Sequence, residues 1–529
     1  MIDAMSRITT FQSVKPIQFK RAFSALSVHV LTAFCMLAWP TLPAQAAPPA
    51  PPPLPPQVAQ ALQAAGVPLD AVSLLVLPAE GGPARLDHEG QASRQVASVM
   101  KLFTTGAALN LLGPAFTWHT DVALGGPLKS NGRLDGPLYV RASGDPSLVL
   151  EDVELMMRRW RGAGLKDIHG DLLIDRRVFD VPPHDPAAFD GQGLKPYNAG
   201  PDALLLNHQA LTLRFVPDAA RPGQVRVSME PELEGVRLDA RVKLQPGGAC
   251  GDWREALDLD MQPAAGWKQH AVRPWRITLK GPYPAACGAR DWPLLWQGDG
   301  TGDHATRLLQ ATWQHLGGHL NGHVAAGDWP DGATVWQSWA SPPLGQVVRD
   351  INKFSNNVMA RQLFLTMAAN AASASGPATL DKAREAVTQQ VLNATRNTTG
   401  RSPCEGTALV LDNGSGLSRA ERSSAACLGR WLQSMWASPT MPEFIASLPI
   451  TGVDGTTKKL ASVAGRAHIK TGSLDGVVAQ AGYVEGDSGH RWVVVGVINH
   501  PQAETARPAL EALIGWTMRD RAGLSSGQN

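Results

Sequence analysis

Ser98-Val99-Met100-Lys101 opens an apolar stretch that runs to Leu112, where Gly113-Pro114 stops it. That pattern predicts a helix. On a helix, positions i and i+3 share a face, so the Ser98 hydroxyl and the Lys101 amine can meet. An alcohol is a poor nucleophile until a base takes its proton. A lysine at its ordinary pKa of about 10.4 is protonated at neutral pH and cannot do so. Burial or a second cation nearby would free its lone pair. A serine at a helix start also has unpaired backbone N–H groups beside it, which suit a developing oxyanion. The tetrad alone is weak evidence, because Ser-x-x-Lys is common on surface helices.

Working outward, Val58–Ala65 reads as a helix ended by Gly66-Val67-Pro68, and Ala71–Leu77 as a strand. From about Trp118 to Pro330 the texture changes. Short strand-like runs (Leu138–Ala142, Leu172–Asp175, Leu211–Phe215, Gln224–Ser228, Trp275–Leu279) alternate with Gly, Pro and Asp turns, as β-rich inserted material would. Helical patterns return at Leu344–Lys353, Asn357–Ala369 and Leu380–Leu392. Strands around His468–Lys470 and Arg491–Ile498 flank Ala479–Val484, and Ala503–Arg519 reads as a closing helix.

Two further motifs sit in this last part. Ser355-Asn356-Asn357, with Lys353 just before it, offers a second hydroxyl to relay a proton and an amide to hold a backbone carbonyl. Lys470-Thr471-Gly472-Ser473 ends a strand. There Lys470 would face a cleft, Thr471 and Ser473 could bond a carboxylate, Gly472 permits close backbone approach, and the Ser473 N–H could be a second oxyanion donor.

In chain order the three motifs are the set found in penicillin-binding proteins and serine β-lactamases. Their conjunction is far more specific than any one of them. The chain resembles the D-alanyl-D-alanine carboxypeptidase/endopeptidase family among the low-molecular-mass class C penicillin-binding proteins. Ser98 to Ser355 spans 257 positions, room for the large nested insertion that marks that family. Gly144–Leu148, Asp412–Arg419 and Gly452–Thr456 also match it.

The resemblance implies an acylated nucleophile at Ser98, its general base at Lys101, a proton relay at Ser355 and a substrate-amide contact at Asn357. It implies a carboxylate grip at Lys470 and Thr471, close approach at Gly472 and oxyanion stabilisation at Ser473. Arg419 is similar to a residue at the cleft rim that could meet an acidic peptide side chain. Asp475 stands where relatives often have Gln, and Asn356 where Asp is commoner. The implied fold is α/β and multidomain: a β-lactamase/transpeptidase-like domain, with an antiparallel sheet flanked by helices, carrying two nested β-rich inserted domains. The expected division is 57–118 with 331–525 for the catalytic domain, 119–204 with 296–330 for the outer insert, and 205–295 for the inner one. The implied partners are peptidoglycan peptides and, as covalent inhibitors, β-lactam antibiotics; a homodimer stays open. Two alternatives are a serine β-lactamase, for which no deacylating Glu can be assigned, and an inactive muropeptide-binding scaffold.

Composition agrees with a large globular protein. The chain has 529 residues, 44% of them hydrophobic and 18% charged, and a net charge of +2. A near-neutral chain lacks the basic excess of a nucleic-acid-binding protein. Residues 1–46 read as a cleavable signal peptide: Arg7, Lys15, Lys20 and Arg21, then an interrupted apolar stretch from Ala22 to Leu42, then Ala44-Gln45-Ala46. Residues 47–56 form a proline-rich linker. The expected location is periplasmic, with peripheral membrane association left open. Cys250, Cys287, Cys404 and Cys427 remain after processing. Four cysteines allow three pairings, of which the nearest-neighbour one closes loops of 37 and 23 residues. No cofactor is expected. His315, His319 and His323 are interrupted by glycines and read as a helix end and turn rather than a metal site.

Overall fold

A computed structural model describes residues 53–265, 272–300, 302–371 and 375–523. The expected signal segment and its Ala44-Gln45-Ala46 site lie outside these residues. Among the described residues, no helix is long and apolar enough to cross a membrane.

The chain ends build one antiparallel sheet. Its strands are β1 (Val72–Pro78), β2 (Leu86–His88), β3 (Ala467–Leu474), β4 (Val477–Glu485) and β5 (Arg491–Asn499), in the order β2-β1-β5-β4-β3. Aliphatic runs such as Val493-Val494-Val495 are suited to it because both faces of the sheet are covered. Alternate residues feed two cores. Val72, Leu74, Val76, Val494 and Ile498 join α1 (Pro56–Ala64) and a C-terminal helix, while Leu75, Val493, Val495 and Val497 face the opposite helical layer.

That layer contains α2 (Lys101–Leu112), α3 (Leu344–Phe354), α4 (Asn357–Ala369), α5 (Leu380–Thr395) and α6 (Ala425–Trp436); the C-terminal helix is α7 (Arg507–Met518). α2 is buried on all sides from Lys101 to Leu109, as an almost wholly apolar helix must be. The Trp431 ring of α6 packs where Gly106 of α2 has no side chain; a Cβ there would lie 2.8 Å from it. The same indole donates to the Leu102 carbonyl at 2.9 Å.

The period-two rule also sets the cleft. Ala467 and Ile469 of β3 belong to the α1/α7 core. Lys470 and Gly472 therefore point to the α2 side and Thr471 and Ser473 to the other; because β3 is the outermost strand, all four lie along the open edge of the sheet, where the cleft is.

Residues between the two halves form further sheets. The outer one runs Val324–Ala326, Leu172–Asp175, Leu138–Arg141, His119–Leu124, Gln337–Ala340. Gln337–Ala340, past position 331, thus pairs with the strand that follows Trp118. Leu138–Arg141 and Leu172–Asp175 are parallel, with helix Leu150–Gly162 between them in the chain. This helix and Asp303–His315 are additions to the strand-and-turn pattern read from the sequence. The first does carry a sequence signal: Val153, Met156, Met157 and Trp160, at i, i+3, i+4 and i+7, are its buried face. The inner region has two three-stranded sheets around Phe215, Trp253, Tyr283 and Trp292. His315 ends a helix, His319 lies on a short strand, and His323 precedes another.

The inserted material docks on α4. The Gln362 side-chain amide accepts from the Asp202 N–H at 3.0 Å and donates to the Asp202 carbonyl at 2.7 Å. Arg361 donates to the Ala199 carbonyl at 2.7 Å.

The disulfides are Cys250–Cys287 and Cys404–Cys427. The second closes a 23-residue loop that contains Asp412–Arg419. Closing a loop of that size removes unfolded-state freedom. Replacing Cys404 and Cys427 together by Ser should therefore lower stability by about 3 kcal/mol. Denaturant titration monitored at the tryptophans would measure it, and an unchanged midpoint would contradict the cross-link's contribution.

Candidate active site

Ser98 sits in a 3₁₀ turn, Ala97–Met100, that leads straight into α2. Ala97 holds a left-handed φ of 46°. The turn is gripped by two glycines from distant segments. A Cβ on Gly472 would lie 2.6 Å from the Val96 carbonyl and 3.0 Å from the Ser98 nitrogen. A Cβ on Gly416 would lie 2.0 Å from the Ala97 carbonyl. Gly472 thus serves first to let β3 touch the turn that carries Ser98.

The three motifs close on one another pairwise. Lys101 Nζ lies 3.0 Å from Ser98 Oγ and 2.5 Å from Asn357 Oδ1, which joins the first motif to the second. Lys470 Nζ lies 2.9 Å from Ser355 Oγ, which joins the second to the third. The Gly472 contact joins the third to the first. Ser355 is placed by a left-handed φ of 58° where α3 ends and α4 is about to begin. Asn356 caps α4, its Oδ1 accepting from the Met359 N–H at 3.1 Å, so it turns away from the cleft.

Hydrogen-bond chemistry fixes how these groups point. Lys101 Nζ has a third partner, the Ser415 carbonyl at 2.5 Å. Asn357 Oδ1 and the Ser415 carbonyl can only accept. A neutral amine has two N–H bonds and one lone pair. In that neutral form the two acceptors take both N–H bonds and the lone pair is left on Ser98 Oγ, whereas the ammonium donates to all three. Because Asn357 gives its oxygen to Lys101, its NH₂ faces away and remains a donor for a carbonyl.

Electrostatics favours the neutral amine. Lys101 is fully buried, and burial pushes its pKa well below the ordinary lysine value; nearby Lys470 and Arg361 push the same way and Glu421 opposes them. Lys470 is also fully buried, and burial alone lowers its pKa to about 7. Lys470 thus keeps partial charge at neutral pH, and burial favours the neutral form at Lys101.

The rim is less closed. Thr471 Oγ1 lies 2.8 Å from Thr456 Oγ1. Ser473 is exposed, and its Oγ accepts from Arg507 at 3.0 Å. Arg419 is exposed, donates to the Asp475 carbonyl at 2.8 Å, and stands 5.7 Å from the Phe189 ring. It borders a cavity of about 660 Å³ lined by His184, Phe189, Arg361, Asn413 and Leu417 among others. Asp475 enters this cluster through its backbone; its exposed side chain is not used there.

Sequence reasoning missed Thr456, Arg507, the Ser415 carbonyl, Glu421 and the Lys353–Asp454 ion pair at 2.6 Å that braces the end of α3. Only the matching of Asp412–Arg419 and Gly452–Thr456 hinted at these loops; a backbone carbonyl leaves no mark in a sequence.

Comparison with known proteins identifies the family. Residues 54–519 match the D-Ala-D-Ala carboxypeptidase 3 (S13) family. The D-alanyl-D-alanine carboxypeptidase of Actinomadura sp. (strain R39) is 28% identical over 475 residues, covering 85% of this chain and 81% of that protein. D-alanyl-D-alanine carboxypeptidase DacB of Haemophilus influenzae is 26% identical over 430 residues, covering 78% and 82%. The crystal structure of penicillin binding protein 4 (dacB) from Haemophilus influenzae superposes with a TM-score of 0.69 at 22% identity, covering 87% of this chain and 99% of that one.

Carbon-13 NMR of the lysine side chains should find both buried amines titrating below the usual range, with Lys470 near pH about 7. Lys470→Met removes a positive neighbour, so the Lys101 midpoint should rise. A midpoint that stays put would show that the two amines do not sense each other.

Proposed function

The chain belongs to the D-Ala-D-Ala carboxypeptidase 3 (S13) family, and on that footing we propose how its cleft performs the reaction. The family makes the enzyme a serine-type D-alanyl-D-alanine carboxypeptidase, and our reading extends it to DD-endopeptidase action on cross-links. Its substrates are peptidoglycan stem peptides ending in D-Ala–D-Ala and the D-Ala cross-links between them. The observation that carries the assignment of roles is the pairwise closure of the three motifs around Ser98.

Lys101 takes the Ser98 proton as Oγ attacks the D-Ala carbonyl. The oxyanion forms against the N–H groups of Ser98 and Ser473. Ser355, hydrogen-bonded to Lys470, gives its hydroxyl proton to the departing amine and takes up the proton that Lys101 removed from Ser98, so the amine leaves neutral and Lys101 is again a free base. Lys470, Thr471 and Ser473 hold the carboxylate beyond the scissile bond, with Arg507 behind Ser473 adding positive charge. The Asn357 NH₂ holds a substrate carbonyl, and Arg419 meets an acidic group of the peptide at the rim. Water then frees acyl-Ser98.

A β-lactam mimics the substrate and acylates Ser98. Rapid release of that acyl group would need a carboxylate free to activate water. Glu421, the buried carboxylate whose charge acts on Lys101, has both oxygens occupied by backbone N–H groups. This supports slow deacylation and weighs against a β-lactamase. Action on peptidoglycan supports a periplasmic location. We also propose that the catalytic domain resumes after Ala340 rather than at 331, since Gln337–Ala340 completes the outer sheet.

Mass spectrometry after penicillin treatment should place a single adduct on the peptide bearing Ser98. Ser98→Ala should remove the adduct and lower hydrolysis of cross-linked muropeptides by about a thousandfold or more. A parent protein that takes no label and cleaves no muropeptide would instead support a scaffold.

A further inference from the structure

Glu421 lies two residues beyond Arg419 and is buried, with 2% exposure. Its Oε1 accepts from the N–H groups of Asp412, Asn413 and Gly414 at 3.1, 3.0 and 2.7 Å, and its Oε2 from that of Gly416 at 2.7 Å. All four partners are donors. Burial pushes its pKa up, and the backbone N–H groups of Asp412, Gly414 and Gly416 pull it back down; with all four partners donors, the ionised carboxylate is the form that satisfies them. One carboxylate therefore shapes the whole turn from Asp412 to Gly416.

The last of those bonds matters most. The Gly416 N–H and the Ser415 carbonyl belong to the same peptide group. Its N–H points to Glu421 at 2.7 Å and its oxygen receives Lys101 Nζ at 2.5 Å. Carboxylate, peptide and amine thus form one hydrogen-bonded chain, in which each bond polarises the next. The chain ends on the amine whose lone pair faces Ser98 Oγ at 3.0 Å.

We infer that Glu421 is a positioning residue for this reaction: through the Ser415–Gly416 peptide it holds the Lys101 amine with its lone pair on Ser98. The inference rests on Lys101 acting as the base for Ser98. Without the Ser415 carbonyl in place, the amine has one obligatory acceptor instead of two and is free to turn an N–H toward the hydroxyl.

The carboxylate also acts through its charge. The charged groups that face it are Lys101, Arg361 and Asp412, and Lys470 lies beyond Lys101. Asp412 is itself held by Arg384 at 2.7 Å. Of the groups around Lys101, Glu421 is the one that raises its pKa, whereas Arg361 and Lys470 lower it. Removing the negative charge should therefore ease deprotonation of Lys101.

Acylation by a fluorescent penicillin, followed across the acid and neutral pH range, separates the two effects. Glu421→Gln keeps the size but sets an NH₂ against a backbone N–H. Its plateau rate should fall by roughly tenfold to a hundredfold, the cost of a misplaced base. Its acidic limb should move to lower pH, which a merely structural defect would not cause. Glu421→Asp keeps the charge but is too short to reach both Gly414 and Gly416, so its rate should fall with the limb in place. A parent-like rate in Glu421→Gln, or a lowered rate with an unmoved limb, would overturn the inference. If Glu421→Gln does not fold, Glu421→Asp decides: a slower acylation step with parent-like penicillin affinity and melting temperature supports the role, and a parent-like rate, or a loss shared with affinity and melting temperature, overturns it. A parent that is not acylated at Ser98 would sink the underlying mechanism instead, which is a separate outcome.

Discussion

Burying the Lys101 amine is the constraint around which this molecule is arranged. A lone ammonium in an apolar interior costs several kcal/mol, and the group answers by giving up its proton. Here the amine lies at the start of a helix buried on every side. A second buried amine, Lys470, works against its charge. A neutral lysine is a base by default, so the packing that stabilises the domain also prepares the chemistry. The two acceptors from distant segments, Asn357 and the Ser415 carbonyl, then decide which way the base faces.

That arrangement depends on close approach between backbones. Gly472 brings β3 against the Ser98 turn, and Gly416 brings the 412–417 loop against the other side of it. Positive φ values at Ala97 and Ser355 set the two serines off from the regular elements beside them. Local strain of this kind persists only where the surroundings over-determine it. Here the surroundings are the helical layer, the Lys353–Asp454 ion pair and the loop closed by Cys404–Cys427. The inserted material is tied in through Arg361 and Gln362, on the same helix that begins with Asn357.

Much of this arrangement is legible in the residues alone. Asn357–Ala369 and Arg491–Asn499 have strong apolar patterns and clear stops, so their type and extent emerge from local rules. Leu150–Gly162 has an equally good helical period, but the strand-like runs around it obscure it. The spacing of Ser98 and Lys101 predicts an α-helix, whereas Ser98 lies in a 3₁₀ turn; Lys101 still reaches it, because the three-residue offset serves both. The residues that escape such reading act through backbone groups or across hundreds of positions. Glu421 binds four N–H groups, Ser415 contributes its carbonyl, and Arg507 reaches Ser473 from the start of α7.

By itself, the sequence determined the chemistry on offer: two lysines, two hydroxyls, an amide and a glycine in a strand, in three motifs whose conjunction is far more specific than any one of them. It determined the main helices and strands as well, because periodicity and stop signals are local. Only the tertiary structure decided that Lys101 has two obligatory acceptors, that Gly472 serves the Ser98 turn, and that a buried carboxylate reaches the base through a single peptide group. Those are matters of distance between segments remote in the chain, and burial and hydrogen-bond direction do not exist until the segments have packed.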